Sequence, residues 1–458
     1  MQQQTTKKIR RIQQVSVTNL FGIFNHTIPL KMDEHITIIH GPNGFGKTMM
    51  LKLLRALFSP VDQLSQSYEL LEDIPFDEFR VDFEDNTSFW VSKPSRSYKL
   101  TEKVYAVKRE VIFQATGKGP HPLRLKPLLK ESGIASTEVT INGARTRIDR
   151  IDSDTWRIDT GEILSSEDVL GRFGNQLFTE YPGTIKDTPN WLADMRKSVP
   201  IRFIETQRLL SSTKGIEPEY TVTEDSGHVI EVIEKKLAES VTLSQALDRT
   251  FPKRAISSTA QQLQVTEDEL LDKLQKLEQK RSHLMTIGLL DQAKGTESLI
   301  DSDQGIEETT KAVLAVYAED TEQKLGIFDE LAQKIDLLTK IINDHFLYKT
   351  MAINKEKGLV FTTENGTNLL LENLSSGEQH ELVLFYDLLF RVTPGSLVLI
   401  DEPEVSLHVV WQERFLKAIG KVTNLTDIDV IIATHSPDII NDRRDLMVKL
   451  SISNNGRS

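Results

Sequence analysis

At 458 residues the chain has room for two or three domains and a sizeable core, and with no cysteine it excludes disulfides and thiolate metal sites. A net charge of −12 excludes a uniformly basic nucleic-acid binder. There is no secretory pattern at Met1-Gln2-Gln3-Gln4 and no uninterrupted apolar run of about eighteen residues, so the expectation is a cytoplasmic protein with no membrane partner.

Ile12-Gln13-Gln14-Val15-Ser16-Val17 reads as a strand, followed by Asn19-Leu20-Phe21-Gly22 and Thr27-Ile28-Pro29-Leu30. Ile36, Ile38 and Ile39 predict a buried strand that turns through Gly41-Pro42-Asn43-Gly44-Phe45-Gly46 into a helix starting near Lys47. Glycines let backbone amides face an anion closely, and the helix N-terminus adds a favourable field. The loop is therefore read as a phosphate cradle in which Lys47 reaches the β/γ-phosphates and Thr48 offers a hydroxyl to Mg²⁺. Leu51, Leu53, Leu54 and Leu57 form the core face of that helix.

Phe79-Arg80-Val81-Asp82-Phe83, a turn at Glu84-Asp85-Asn86, and Ser88-Phe89-Trp90-Val91 predict a β-hairpin. The stretch from Gly117 to Pro122 reads as a loop, and Asn142-Gly143 as a two-residue turn between Glu138-Val139-Thr140-Ile141 and the strand from Ala144 to Ile148. Val199-Pro200-Ile201-Arg202-Phe203-Ile204 is a strand that runs into Glu205-Thr206-Gln207-Arg208. Leu263, Leu270, Leu277 and Leu284 then recur every seven residues around a capping box, Thr266 to Glu269, and Ile327, Leu331, Ile335, Leu338 and Ile342 mark a second helix. Two helices of about 35 residues would make an antiparallel hairpin about 50 Å long. Ordinary bundle helices are the alternative. Glu364-Asn365-Gly366 is a hairpin turn between Gly358-Leu359-Val360-Phe361 and Asn368-Leu369-Leu370-Leu371.

Leu374-Ser375-Ser376-Gly377-Glu378-Gln379 opens a further helix. Leu397-Val398-Leu399-Ile400 is a strand buried on both faces that ends in Asp401 and Glu402, and carboxylates at such a C-terminal edge lie where open α/β sheets bind ligands. Asp401 would organise Mg²⁺ through its water shell, and Glu402 would orient and polarise an attacking water. Glu404 stays open between the site and solvent. Val430-Ile431-Ile432-Ala433 is another buried strand and delivers Thr434 and His435. No His/Cys cluster points to a structural metal.

GPNGFGKT, LSSGEQ, LVLIDEPE and ATHS, in that order, resemble the ATP-binding cassette (ABC) ATPases in their soluble SMC/RecF branch. The resemblance implies an α/β fold, an ABC-type P-loop ATPase head with mixed sheet lobes and an inserted helical arm, a short coiled coil. Its expected divisions are an N-terminal ATPase lobe over 1–210, a helical insertion over 211–350 and a C-terminal lobe over 351–458. It implies ATP and Mg²⁺, with the nucleotide held by Gly41, Pro42, Asn43, Gly44, Phe45, Gly46, Lys47 and Thr48, and the metal by Thr48, Asp401 and Gln207. Gln207 would link the metal to the inserted arm, Glu402 would be the catalytic carboxylate, and His435 would contact the γ-phosphate. Ser376, Gly377 and Glu378 would act on ATP held by another copy, which implies a homo-oligomer, at least a dimer. Phe21 or Phe24 is a candidate to stack on the base, with core packing as the alternative.

The phrases ITIIHGPNGFGKT, LSSGEQHELVLFYDLLF, LVLIDEPEVSLH and IIATHSPDIIND are similar to stand-alone ATPases of bacterial anti-phage modules of the Septu and PARIS kind. Those ATPases pair with a separate nuclease, of HNH type in Septu and Toprim type in PARIS. The expected function is thus the sensor or scaffold ATPase of a defence complex. OLD-type nucleases, Gabija included, look similar through the ATPase but continue into a Toprim domain; Ser458 lies 23 residues past His435, so none is expected here. The alternative is a RecF-like repair ATPase that binds DNA in an ATP-dependent manner. A transporter subunit is disfavoured by the large insert between phosphate loop and signature. Direct DNA contact stays open through Lys7, Lys8, Arg10, Arg11, Arg145, Arg147, Arg150, Lys253 and Arg254, which read equally well as solvated surface.

Overall fold

The computed structural model describes residues 9–59, 64–93, 111–123, 136–141, 144–152, 155–159, 161–165, 168–169, 189–205, 210–211, 219–260, 266–291 and 306–450. Gln207, Arg208, Leu263, Lys7, Lys8 and the Asn142-Gly143 turn lie outside them. In chain order the elements are β1 (Ile12–Leu20), β2 (Phe24–Pro29), β3 (Ile36–His40), α1 (Lys47–Phe58), α2 (Leu64–Asp73), β4 (Glu78–Phe83), β5 (Ser88–Ser92), β6 (Val111–Ala115), β7 (Lys118–Leu123), β8 (Ser136–Ile141), β9 (Ala144–Arg150), β10 (Thr155–Ile158), β11 (Ile163–Ser165), α3 (Asn190–Arg196) and β12 (Ile201–Ile204). There follow β13 (Leu210–Ser211), β14 (Glu219–Tyr220), α4 (Thr221–Ala260), α5 (Glu267–Thr286), α6 (Glu308–Gly326), α7 (Asp329–His345), β15 (Lys349–Asn354), β16 (Gly358–Thr363), β17 (Asn368–Leu369), α8 (Ser376–Tyr386), β18 (Leu397–Asp401), α9 (Val409–Thr426), β19 (Asp429–Thr434), α10 (Pro437–Ile440) and β20 (Met447–Lys449). The fold is mixed α/β, and no described helix is long and apolar enough to cross a membrane.

Two compact units result: Met1–Thr206 with Thr393–Val405 and Asp427–Ser458, and Gln207–Val392 with Ser406–Thr426. The first is built on a sheet of order β12-β18-β19-β3-β20 whose pairings are all parallel. Leu397, Val398, Leu399 and Ile400 are all buried, as a strand covered on both faces requires. Register aligns the strand ends, with Asp401 opposite Ala433 and Thr434 opposite His40. The loops after β3, β18 and β19 therefore emerge at one edge.

An antiparallel sheet of order β2-β1-β4-β5-β6-β7 belongs to the same unit. Phe79, Val81 and Phe83 alternate inward on β4, and the hairpin to β5 forms as expected. Between the two sheets' apolar faces, α1 buries Leu51, Leu53, Leu54 and Leu57, and Phe58 meets the rings of Phe83 and Phe89 edge-on at 6.2 and 5.6 Å. Burying each such leucine stabilises the fold by about 1.5–3 kcal/mol. The 117–122 stretch, expected as a loop, is instead β7, paired with β6 across a turn at Gly117. Its prolines are tolerated because, among the described residues, β7 is an edge strand with no outer neighbour needing their missing N–H groups. Strands β8 and β9 pair down to Ile141 opposite Ala144, the register of the predicted two-residue turn.

The second unit carries the helical arm, with pairing different from the one expected. The 40-residue α4, about 60 Å at 1.5 Å per residue, was not foreseen. Its Asp248 meets Lys324 at 2.7 Å and its Arg254 meets Asp320, so α4 and α6 run antiparallel. Between α5 and the α6–α7 pair the ion pairs advance in step: Glu267 with Lys311 at 3.5 Å, Lys273 with Glu322 at 2.7 Å, Lys280 with Asp329 at 2.5 Å, His283 with Asp336 at 2.8 Å. The two stretches read as an antiparallel hairpin therefore lie parallel. The heptad leucines Leu270, Leu277 and Leu284 are buried on α5, and the Thr266 to Glu269 capping box is formed. Such exposed ion pairs contribute about 0–1 kcal/mol each, so they report direction more than they stabilise.

Candidate active site

The turn into α1 is shaped by two glycines in the left-handed region, Gly44 at φ +84° and Gly46 at φ +83°. At Gly46 a Cβ would also lie 2.7 Å from Leu20 Cδ2, so a side chain fails there on both counts. Pro42, Asn43 and Gly44 form the exposed rim of the loop, while Gly41 is buried against Leu450. His26 Nε2 donates to the Phe45 carbonyl at 2.9 Å, and the Phe45 ring packs at 5.4 Å on Phe24. Phe24 is thus core. Phe21, at φ +57°, stays 39% exposed beside Gly46.

Lys47 is buried and donates from Nζ to the carbonyls of Gly41 at 2.7 Å and Pro42 at 3.1 Å. Burial lowers its pKa, while Glu402, Glu404 and Asp401 pull the other way. Thr48 Oγ1 donates to Asp401 Oδ1 at 2.9 Å, which joins the start of α1 to the end of β18. Burial pushes the Asp401 carboxyl up, opposed by the Thr48 bond.

Glu402 turns the chain sharply, with φ +43° and its N–H bonded to Ala433 O at 2.8 Å. A non-glycine residue in this region stores strain of about 1–3 kcal/mol, of the kind found at functional sites. Glu404 does not face solvent: it is buried, and its Oε1 accepts from Thr434 Oγ1 at 2.7 Å, His435 N at 2.8 Å and Ser436 N at 3.2 Å. His435 Nδ1 lies 3.0 Å from the same oxygen and 3.9 Å from Glu402 Oε1. The sequence offered no signal to separate Glu404 from a surface acid, because one residue of phase in a short turn decides it.

In the second unit, Ser375 caps α8 by accepting from Glu378 N, and Glu378 Oε2 accepts from Ser375 N at 2.9 Å. Lys349, from β15, holds the same carboxylate at 2.8 Å. Gln379 donates to Leu374 O at 2.9 Å. Glu378 and Gln379 are therefore buried in holding the helix start, while Ser376 is exposed beside Gly377. Of the basic candidates, four are ion-paired within the chain: Arg10 with Asp85, Arg11 with Asp429, Arg147 with Asp149 and Arg254 with Asp320.

The family model described as AAA ATPase domain matches residues 11–440, nearly the whole of this arrangement. The chain belongs to that ATPase family. No curated protein matches it. Among solved structures, this AAA ATPase-domain chain is similar to the Smc head domain with an extended coiled coil bound to the C-terminal domain of ScpA, from Pyrococcus furiosus. That alignment has 13% identity, covers 97% of this chain and 94% of that one, and has a TM-score of 0.35. The SMC head domain from Thermotoga maritima aligns at 10% identity over 97% and 96% of the two chains, with a TM-score of 0.31.

Proposed function

We propose that the chain binds ATP with Mg²⁺ and hydrolyses it. The observation that carries this reading is the 2.9 Å bond between Thr48 and Asp401 directly behind the phosphate loop. A hydroxyl and one carboxylate suit Mg²⁺, which takes few protein oxygens and completes its shell with water and phosphate. Bound ATP and Mg²⁺ supply the phosphoanhydride and a charge that offsets the one developing on the transferred phosphoryl group. Gly41 to Thr48 would hold the phosphates, Lys47 exchanging its carbonyl partners for the β/γ-phosphates. Glu402 would orient the attacking water and accept its proton, and His435 would meet the γ-phosphate. Gln207 keeps its proposed place beside the metal. Ser376 and Gly377 would complete the site of a second copy, so turnover would require at least a dimer. The test separates nucleotide binding from turnover in Lys47→Ala and Glu402→Gln.

For the cellular role we propose the sensor or scaffold ATPase of an anti-phage complex that controls a separate nuclease of HNH or Toprim type. Its support is the four motif phrases. The RecF-like alternative needs basic surface for DNA, and Arg10, Arg11, Arg147 and Arg254 are occupied by carboxylates within the chain.

A further inference from the structure

We infer that Lys349 is a positioning residue for the turn Ser376-Gly377, which it holds through Glu378 at the point where the arm helix α7 passes into β15. This deepens the ATPase reading and rests on it in giving that turn a second copy's ATP to meet.

Between α7 and β15 the chain is pinned at nearly every step. His345, the last residue of α7, is hydrogen-bonded through Nδ1 to Glu381 on α8, and both are buried. Phe346 is buried against the rings of Trp411 and Phe361, with centroids 5.8 and 5.7 Å away. Asn343 closes the corner by bonding Met351 twice, accepting from its N–H at 2.7 Å and donating to its carbonyl at 3.0 Å. Tyr348 takes φ +64°, a region that an aromatic residue adopts only where its neighbours hold it. Lys349 is thereby fixed at the start of β15, opposite Thr363 of β16.

Its Nζ lies 2.8 Å from Glu378 Oε1 and 2.9 Å from Oε2, so one ammonium bridges both oxygens. Oε2 also accepts from the N–H and the hydroxyl of Ser375, each at 2.9 Å. Burial pushes the Glu378 carboxyl up, but Lys349 and the Ser375 bonds outweigh it and hold the group below its ordinary value. Bonds to such an ionised acceptor are about twice as strong as neutral ones. Ser376 and Gly377 are the two residues between Ser375 and Glu378, so whatever fixes this capping box fixes their amides. Without Lys349 a buried carboxylate loses the cation that bridges it, and it draws in water or swings out of the box. The turn then loses its frame while the phosphate loop of the same chain is untouched.

The experiment uses the full chain. Lys349→Met should lower kcat by about 10- to 100-fold, the weight of a hydrogen bond to a charged group. Lys349→Arg, which can fork onto the same carboxylate, should keep most of the turnover. Amide exchange over Ser376 to Gln379 should quicken in the Met variant and stay near wild type in the Arg variant. Mixed with Lys47→Ala chains, Lys349→Met should regain turnover, because an intact phosphate loop again meets an intact Ser376-Gly377 turn. Mixed with Ser376→Arg chains it should gain nothing beyond its own residual rate, since neither chain has a working turn. A chain that is merely less stable would gain in that second mixture, so a gain there would overturn the inference, as would unchanged amide exchange in the Met variant. If Lys349→Met does not fold, Lys349→Gln keeps a neutral donor and should show the same pattern with a smaller loss. The Lys47→Ala and Ser376→Arg pair is the control: if it regains nothing, the shared-site reading fails, and amide exchange still judges Lys349.

Discussion

Arg196 donates from Nε to the carbonyl of Ser59 at 2.8 Å, across 137 residues of chain. Its Nη2 reaches Ala56 O at 3.0 Å, so one guanidinium satisfies two carbonyls at the C-terminal end of the phosphate-loop helix. Arg196 is almost fully buried, and burial holds its pKa down to about 10. Arg196→Met should destabilise the chain by about 1–3 kcal/mol, because both carbonyls lose a buried donor. Arg196→Lys should not restore it, since an ammonium lacks the planar fork. Urea unfolding measures this; an unchanged midpoint in the Met variant would refute the role.

Glu402→Gln should bind a fluorescent ATP analogue like the wild type and lower kcat by about 10²- to 10⁴-fold, the usual weight of a positioned base. Lys47→Ala should weaken binding itself. Equal loss of binding in both variants would remove the distinction between phosphate grip and water activation.

Assembly is tested by mixing. Lys47→Ala and Ser376→Arg chains should each be inactive alone, and mixed oligomers should regain part of the turnover, because one hybrid interface joins an intact phosphate loop to an intact signature. No recovery in oligomers shown to be mixed would mean that each chain completes its own site.

A pH effect is expected in the second unit. Burial pushes the Asp225 carboxyl up to about 7, with Arg391 at 2.7 Å opposing the shift and Asp387 and Glu224 adding to it. The folded pKa lies above the unfolded one, so the folded state holds the extra proton between about pH 4 and pH 7 and this group's contribution to stability falls as pH rises through that window. Asp225→Asn should therefore gain on the wild type from pH 4 to pH 7 in thermal melts. A constant difference across that range would exclude the titration.

In cells, expression of this chain alone should neither degrade nucleic acid nor restrict phage, and co-expression with its genomic neighbour should do so. Glu402→Gln or Lys47→Ala should change the outcome through the nucleotide state. Plaque counts decide it, and full protection by the ATPase alone would defeat the two-component role.

The strands behind the proposed ATP site were legible because each pairs a periodic signal with a chemical one. Ile36 to Ile39 and Leu397 to Ile400 announce buried strands; Lys47 and Thr48 open the helix after the first, and Asp401 and Glu402 follow the second. What escaped was long-range or a matter of phase. Nothing near Arg196 says that its carbonyl partners are 137 and 140 residues away. Helix α4 was hidden by Pro252 and by a largely solvated surface that weakens its apolar period. Leucine spacing located α5 but could not tell which helix it faces or in which direction. The parallel sheet of the first unit draws its strands from both ends of the chain.

That sheet imposes a timetable on biosynthesis. Strand β3 leaves the ribosome early, yet its partner β19 opens at Asp429. At about 5–20 residues per second, the phosphate-loop strand must wait on the order of 20–80 s before its neighbour exists. Through that interval an apolar strand has no native ladder to join, which makes the nascent chain, rather than the finished protein, the stage most exposed to aggregation and most dependent on chaperones.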